Sequence, residues 1–187
     1  MKKYLAILAA FIPLTAFGYT LGGSITGFNS GSYLVLRLNN TTSRLVPVGA
    51  TSYRFSTQFS TGQPYTVSIG IQPAGLRCTI AKSSGVFQFA NITDANITCV
   101  RLTSVQLSWT LPTMNTDGTP LTDLTGYVVY YSTDPTFATK VAKFVTAPNL
   151  SATISNLVVG STYYFAVASV SASGGTGDRS NSVFVTP

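Results

Sequence analysis

The sequence predicts an all-β protein made of two tandem β-sandwiches, and three observations predict it. Past Gly18 almost every segment alternates apolar with polar side chains, as half-buried strands do because successive side chains leave a pleated backbone on opposite sides. Gly, Asn, Ser, Thr and Pro punctuate these segments at short intervals, which is the spacing of tight turns between short strands. No capped stripe at helical period follows Gly18.

Residues 1–18 read as a signal peptide. Met1-Lys2-Lys3 is a short positive head, and Tyr4 to Phe17 is apolar except for Pro13 and Thr15. Ala16-Phe17-Gly18 then sets small residues three and one positions before Tyr19, the order a signal peptidase accepts. The apolar run falls well short of the roughly 20 residues that span a bilayer. No later stretch is long and apolar enough for a membrane span, and no Cys follows the cleavage point to take a lipid.

In chain order, Leu34, Leu36 and Leu38 share one face against Tyr33, Val35 and Arg37. Tyr65, Val67, Ile69 and Ile71 alternate with Thr66, Ser68, Gly70 and Gln72. Val105, Leu107 and Trp109 form the next apolar face, and Tyr163, Phe165 and Val167 a later one. Turn signals fall between them at Gly22-Gly23, Asn39-Asn40, Gly62-Gln63-Pro64 and Asp117-Gly118. A boundary is predicted at Arg101-Leu102, after the second cysteine and before the strand of the single tryptophan, giving domains over 19–101 and 102–187.

Cys78 and Cys99 are the two cysteines. In an oxidising compartment such a pair forms one disulfide. Zinc is the rival reading and fails, because two thiols in a chain without histidine cannot complete a tetrahedral site. Charge is uneven. From Tyr19 to Arg101 stand Arg37, Arg44, Arg54, Arg77, Lys82 and Arg101 against Asp94 alone; beyond that, Lys140, Lys143 and Arg179 face Asp117, Asp123, Asp134 and Asp178. A basic first half suits an acidic polysaccharide, lipopolysaccharide or nucleic acid. The arginines are scattered singly, as solvated strand positions are, and the dense basic run that tracks a phosphate backbone is absent. Nucleic acid is therefore disfavoured.

The second half resembles a known module. Leu107-Ser108-Trp109 is followed by Leu111-Pro112 and by Asn115-Thr116-Asp117-Gly118-Thr119-Pro120. Gly126-Tyr127-Val128-Val129-Tyr130-Tyr131, Leu157-Val158-Val159-Gly160-Ser161-Thr162-Tyr163 and Phe165-Ala166-Val167-Ala168 come next, and Ser180-Asn181-Ser182-Val183 closes the segment. From about Thr103 onward this order is similar to a fibronectin type III domain of the bacterial kind. The resemblance implies a seven-strand Greek-key sandwich without a disulfide, with Trp109 in the middle of the core and Tyr163 as the tyrosine corner whose hydroxyl meets upstream backbone. One departure is that the family's first strand is not evident. Either it is very short, or the upstream domain covers the sheet edge it would leave open. The first half, from Leu21-Gly22-Gly23 through Gln72-Pro73-Ala74-Gly75-Leu76-Arg77-Cys78 to Ile97-Thr98-Cys99, resembles a cysteine-paired repeat of bacterial surface and secreted proteins, which implies a small immunoglobulin-like sandwich.

Catalytic chemistry has few residues to draw on. There is no histidine, and all five acidic residues are aspartates, so a Ser-His-Asp arrangement lacks its general base and paired carboxylates for glycoside hydrolysis would come from scattered positions. Asp117 and Asp123 are closest in sequence, and turn chemistry accounts for them, since an Asx side chain bonds its own backbone. The oxygen spacing around Asn115 and Asp117 is too sparse for a calcium loop. The chain is read as a non-enzyme without cofactor or metal.

Binding is the remaining class. Tyr130 and Tyr164 have the opposite parity from the core positions Val129, Phe165 and Val167, so on neighbouring strands both rings face outward as a flat apolar contact with polar edges. The alternative for the pair is cross-strand stabilisation of the sheet. The loop carrying Asn115, Asp117 and Asp123 is the second candidate surface, because loops on sandwiches commonly carry recognition. The reading is an exported adhesion or accessory module that contacts a protein or glycan at the cell envelope, in the periplasm, at the surface or outside the cell. The alternative is a structural subunit that assembles through exposed strand edges.

Overall fold

A computed structural model describes residues 18–173 and 175–187; the signal-peptide reading of the leader lies outside the described residues. Thirteen strands and no helix are formed there. By contacts the chain divides into two compact units. Among the described residues, the first takes 18–26 with Tyr33–Gln72 and Thr79–Thr98, and the second takes Gly27–Ser32, Pro73–Cys78 and Cys99–Pro187.

In the first unit, β2 (Leu34–Leu38) lies between β3 (Thr42–Val46) and β5 (Pro64–Ile71), and β7 (Ser84–Val86) closes the far edge of β5, all antiparallel. Leu34, Leu36 and Leu38 are fully buried, as their alternation requires. Asn39 and Asn40 turn β2 into β3 with positive φ values of 49° and 57°, a region asparagine tolerates better than other side chains. Tyr65 and Val67 of β5 are buried, yet Ile71 is 47% exposed. The register between β2 and β5 slips by one residue between Val35 and Leu36. A bulge of this kind inverts the side on which later residues point.

The same unit pairs β1 (Gly22–Thr26) antiparallel with β4 (Ser52–Arg54), and parallel with the first residues of β8 (Ile97–Ser108). Gly22 and Gly23 are dictated by packing, because a Cβ at either would stand 2.3 Å from the Tyr53 carbonyl or 2.5 Å from that of Ala95. The aromatic part of this core is built on Phe87, stacked on Phe59 at 4.5 Å and edge-on to Tyr65 at 5.5 Å.

In the second unit one sheet runs β10 (Val141–Thr146), β9 (Leu124–Ser132), β12 (Tyr163–Ser171) and β13 (Val183–Val185), antiparallel throughout. The other places β8 between β11 (Ser151–Val158) and β6 (Leu76–Ile80). The missing first strand is thus supplied from upstream: Pro73–Cys78 belongs to this unit, and the Leu102 amide donates to the Gly75 carbonyl at 2.8 Å. Cys78 on β6 and Cys99 on β8 form a disulfide, which the resemblance did not imply for this half. The core centres on Val129, Ile154, Leu157 and Phe165. Trp109 packs against that cluster from just past the end of β8 and stays half-buried. The Tyr163 hydroxyl accepts a hydrogen bond from the Val158 amide at 3.0 Å, the corner expected of it.

Candidate functional site

The four-stranded sheet of the second unit turns Val129, Tyr131, Tyr163, Phe165, Val145 and Val185 to its core. The intervening residues therefore face outward. Cross-strand register sets Tyr130 between Ala142 and Ala166, Val128 between Phe144 and Ala168, and Tyr164 between Ser132 and Phe184. Tyr130 and Tyr164 thus lie on neighbouring strands and one face, diagonally across two register positions. Both rings are half-buried and lie low on the sheet. Phe184, 70% exposed and 6.1 Å from the Tyr164 ring, and Phe144, 54% exposed, stand higher. Buried Ala166 and Ala168 form the floor.

The result is a shallow apolar surface bordered by aromatic rings, with the Lys140 ammonium 6.0 Å from the Tyr130 ring at one rim. That distance is the outer limit of a cation–π attraction. The Phe144 ring leans over Gly126, where a Cβ would meet its tip at 2.6 Å. Phe144 and Phe184 were missed by sequence reasoning. Their strands are short and almost wholly exposed, so parity alone does not show which neighbours they flank.

The loop candidates separate. Asn115 and Asp117 build a closed turn: the Asn115 amide bonds the Thr119 carbonyl at 2.8 Å, and its side-chain Nδ2 donates to Thr119 Oγ1 and the Pro120 carbonyl. Asp117 Oδ1 accepts from the Thr119 amide and hydroxyl. These bonds, the hydroxyl first, hold the Asp117 carboxyl below its ordinary range. Gly118 completes the turn at φ +84°. Asp123 stands apart, with Oδ2 receiving the Ser173 amide and its carbonyl receiving that of Ala172. The two carboxylates thus serve separate partners, the Thr119 amide and hydroxyl for Asp117 and the distant Ser173 amide for Asp123.

Beside this loop is a cleft of about 360 Å³ where Met114, Asn115 and Thr116 face Ser169, Gly177 and Asp178. A second hollow of about 250 Å³ shares Pro112, Ser169 and Asp178 with it and reaches Trp109 and Tyr127. Their rings meet edge-to-face at 5.2 Å, and the Trp109 Nε1 and Tyr127 hydroxyl are buried with no hydrogen-bond partner among the described residues. Buried polar atoms of this kind are commonly satisfied by water. Among the described residues no group of three His, Cys, Asp or Glu side chains could hold a metal ion, and no helix is long and apolar enough to cross a membrane.

Residues 90–186 match the family model described as the fibronectin type III domain. No curated protein matches the chain. Three solved structures are similar to it at low identity. A two fibronectin type III domain segment from chicken tenascin is 16% identical, with 91% of this chain and 93% of that one covered and a TM-score of 0.36. The FN1–FN3 domains of chicken CNTN1 are 13% identical at a TM-score of 0.35, covering 89% of this chain; the chain spans 62% of that structure's length. A DUF3823 family protein from Bacteroides ovatus is 14% identical over 90% of this chain and 98% of that one, with a TM-score of 0.28.

Proposed function

The chain belongs to the fibronectin type III family, whose domains commonly serve as non-catalytic binding or adhesion modules, and on that premise we propose that it is an exported binding module which contacts a protein or glycan at the cell envelope through the outward face of its four-stranded sheet. One observation carries the reading. That face brings Tyr130, Tyr164, Phe144 and Phe184 around an alanine floor, a contiguous apolar surface of the type that marks interaction sites. Tyrosine suits such a role because its ring contributes apolar area at low entropic cost while its hydroxyl stays solvated. Export is supported by the leader's order of charge, apolar run and small residues, and by the Cys78–Cys99 disulfide, a bond of oxidising compartments.

The test is a glycan array and an envelope-extract capture run side by side with wild type and the Tyr130→Ala/Tyr164→Ala pair. Circular dichroism controls for folding. A ligand kept by wild type and lost at least about tenfold by a folded double variant supports this face, the size expected when a central aromatic anchor is truncated. Equal retention of every ligand by the double variant removes the sheet face from the site.

A further inference from the structure

A separate cleft of about 490 Å³ opens in the first unit, where edge strand β3 brings Arg44 and edge strand β4 brings Arg54 to its lining. Both guanidinium groups are exposed, and neither has an ion pair or side-chain hydrogen bond to any described residue. Among the described residues, no acidic side chain lines the cleft. The unit's single carboxylate, Asp94, is taken by Lys82, whose hydrogen bond holds it below its usual range. Asn91 also lines the cleft, with its Oδ1 already accepting from the Thr20 amide at 2.8 Å and the Thr20 hydroxyl at 3.2 Å. Its Nδ2 is therefore left to donate.

The cleft thus presents donors and positive charge with no competing anion. Two guanidinium forks match the paired oxygens of a carboxylate, sulfate or phosphate. The remaining lining selects among carriers of such groups. Tyr53, the one aromatic ring among the described lining residues, is 5% exposed and spends its hydroxyl on the Ala95 carbonyl at 2.7 Å, so no described residue of the lining offers the stacking plate that single-stranded nucleic acid uses. Two isolated arginines do not form the charge run that follows a duplex backbone. Small hydroxyl side chains such as Ser52 and Thr93 line the rest, and these suit sugar hydroxyls.

We propose that this cleft binds the carboxylate or sulfate groups of an acidic polysaccharide. The site lies in a different unit from the aromatic sheet face and stands without it. Polygalacturonate and dextran sulfate are the probes, measured with the full chain at near-physiological salt, with neutral dextran, a DNA duplex and phosphatidylglycerol vesicles as comparison arms. Retention of either acidic polysaccharide is expected, and the stronger of the two identifies the anion preferred.

Arg44→Ser/Arg54→Ser should lose at least tenfold in affinity, whereas Arg77→Ser/Arg101→Ser, which removes the same charge elsewhere, should change it less than twofold. Arg44→Lys/Arg54→Lys should fall between, since the charge stays and the forks go. Melting curves establish that each variant folds. Equal losses from the two serine pairs, equal retention on neutral dextran, or tighter binding to duplex or vesicles would each overturn the proposal.

Discussion

Tyr53 shows what a single side chain does here that its neighbours in sequence do not reveal. Its ring is buried and edge-on to Phe55 at 5.9 Å, and its hydroxyl reaches the Ala95 carbonyl 42 residues away. Burial, reinforced by the negative charge Tyr65 would carry, pushes its phenol up to about 12. A group whose pKa rises on folding contributes stability that is whole below its unfolded value and lost as pH climbs to the folded one. Alkaline unfolding should therefore steepen between pH 10 and 12 in wild type, and Tyr53→Phe should lack that component. At neutral pH the same variant should lose about 1–3 kcal/mol, the cost of an unpaired buried carbonyl, read by urea denaturation. The aspartates have the opposite sign. Asp134 is held below its ordinary 3.8 by the Thr136 amide, then by the Thr136 hydroxyl. Its contribution is present above that value and disappears as pH falls below it, so Asp134→Ala should flatten the acid limb of a pH–melting profile. Tyr163 was legible because its partner Val158 is five residues upstream; Tyr53 was not, because nothing local points to Ala95.

Strands were legible wherever one face is buried, as at Leu34, Leu36 and Leu38. The reading failed where pairing, not pattern, decides. Ile71 keeps the alternation of its strand yet is exposed, because Gly70 is an extra residue on β5 between the partners of Val35 and Leu36. The binding face was half legible: parity placed Tyr130 and Tyr164, while Phe144 and Phe184 needed the register. Gly126 belongs to this scale, since a methyl there would meet both the Phe144 ring and the Val145 carbonyl at 2.6 Å. Gly126→Ala should cost about 1–3 kcal/mol as an overpacking substitution and quench binding at the sheet face, seen in parallel melts and affinity measurements. Strand β6 depends on the Cys78–Cys99 bond to β8, with a separation of 21 residues. Removing that bond by Cys78→Ser/Cys99→Ser should lower stability by about 3 kcal/mol for a loop of this length, compared with wild type in the presence and absence of reductant.

At the scale of the molecule, composition narrows more than it identifies: without histidine or glutamate the acid–base residues reduce to aspartate, lysine and tyrosine, and nothing in the counts names a ligand. Assembly through strand edges, the alternative role, meets resistance at each border. Arg44 sits on β3, Arg54 on β4, Arg77 on β6 and Lys143 on β10; β7 and β13 have three residues each, and β11 is bulged between Ile154 and Leu157. Charges, brevity and bulges are the features that keep open edges from pairing. Light scattering should accordingly report a constant mass across a wide concentration range, and a mass that climbs with concentration would favour the structural-subunit role. The bond between Cys78 and Cys99 also governs how the molecule answers proteases. Any single cut within residues 79–98 leaves both pieces joined through sulfur, so nicked protein would run as one band on a non-reducing gel and as two once thiol is added.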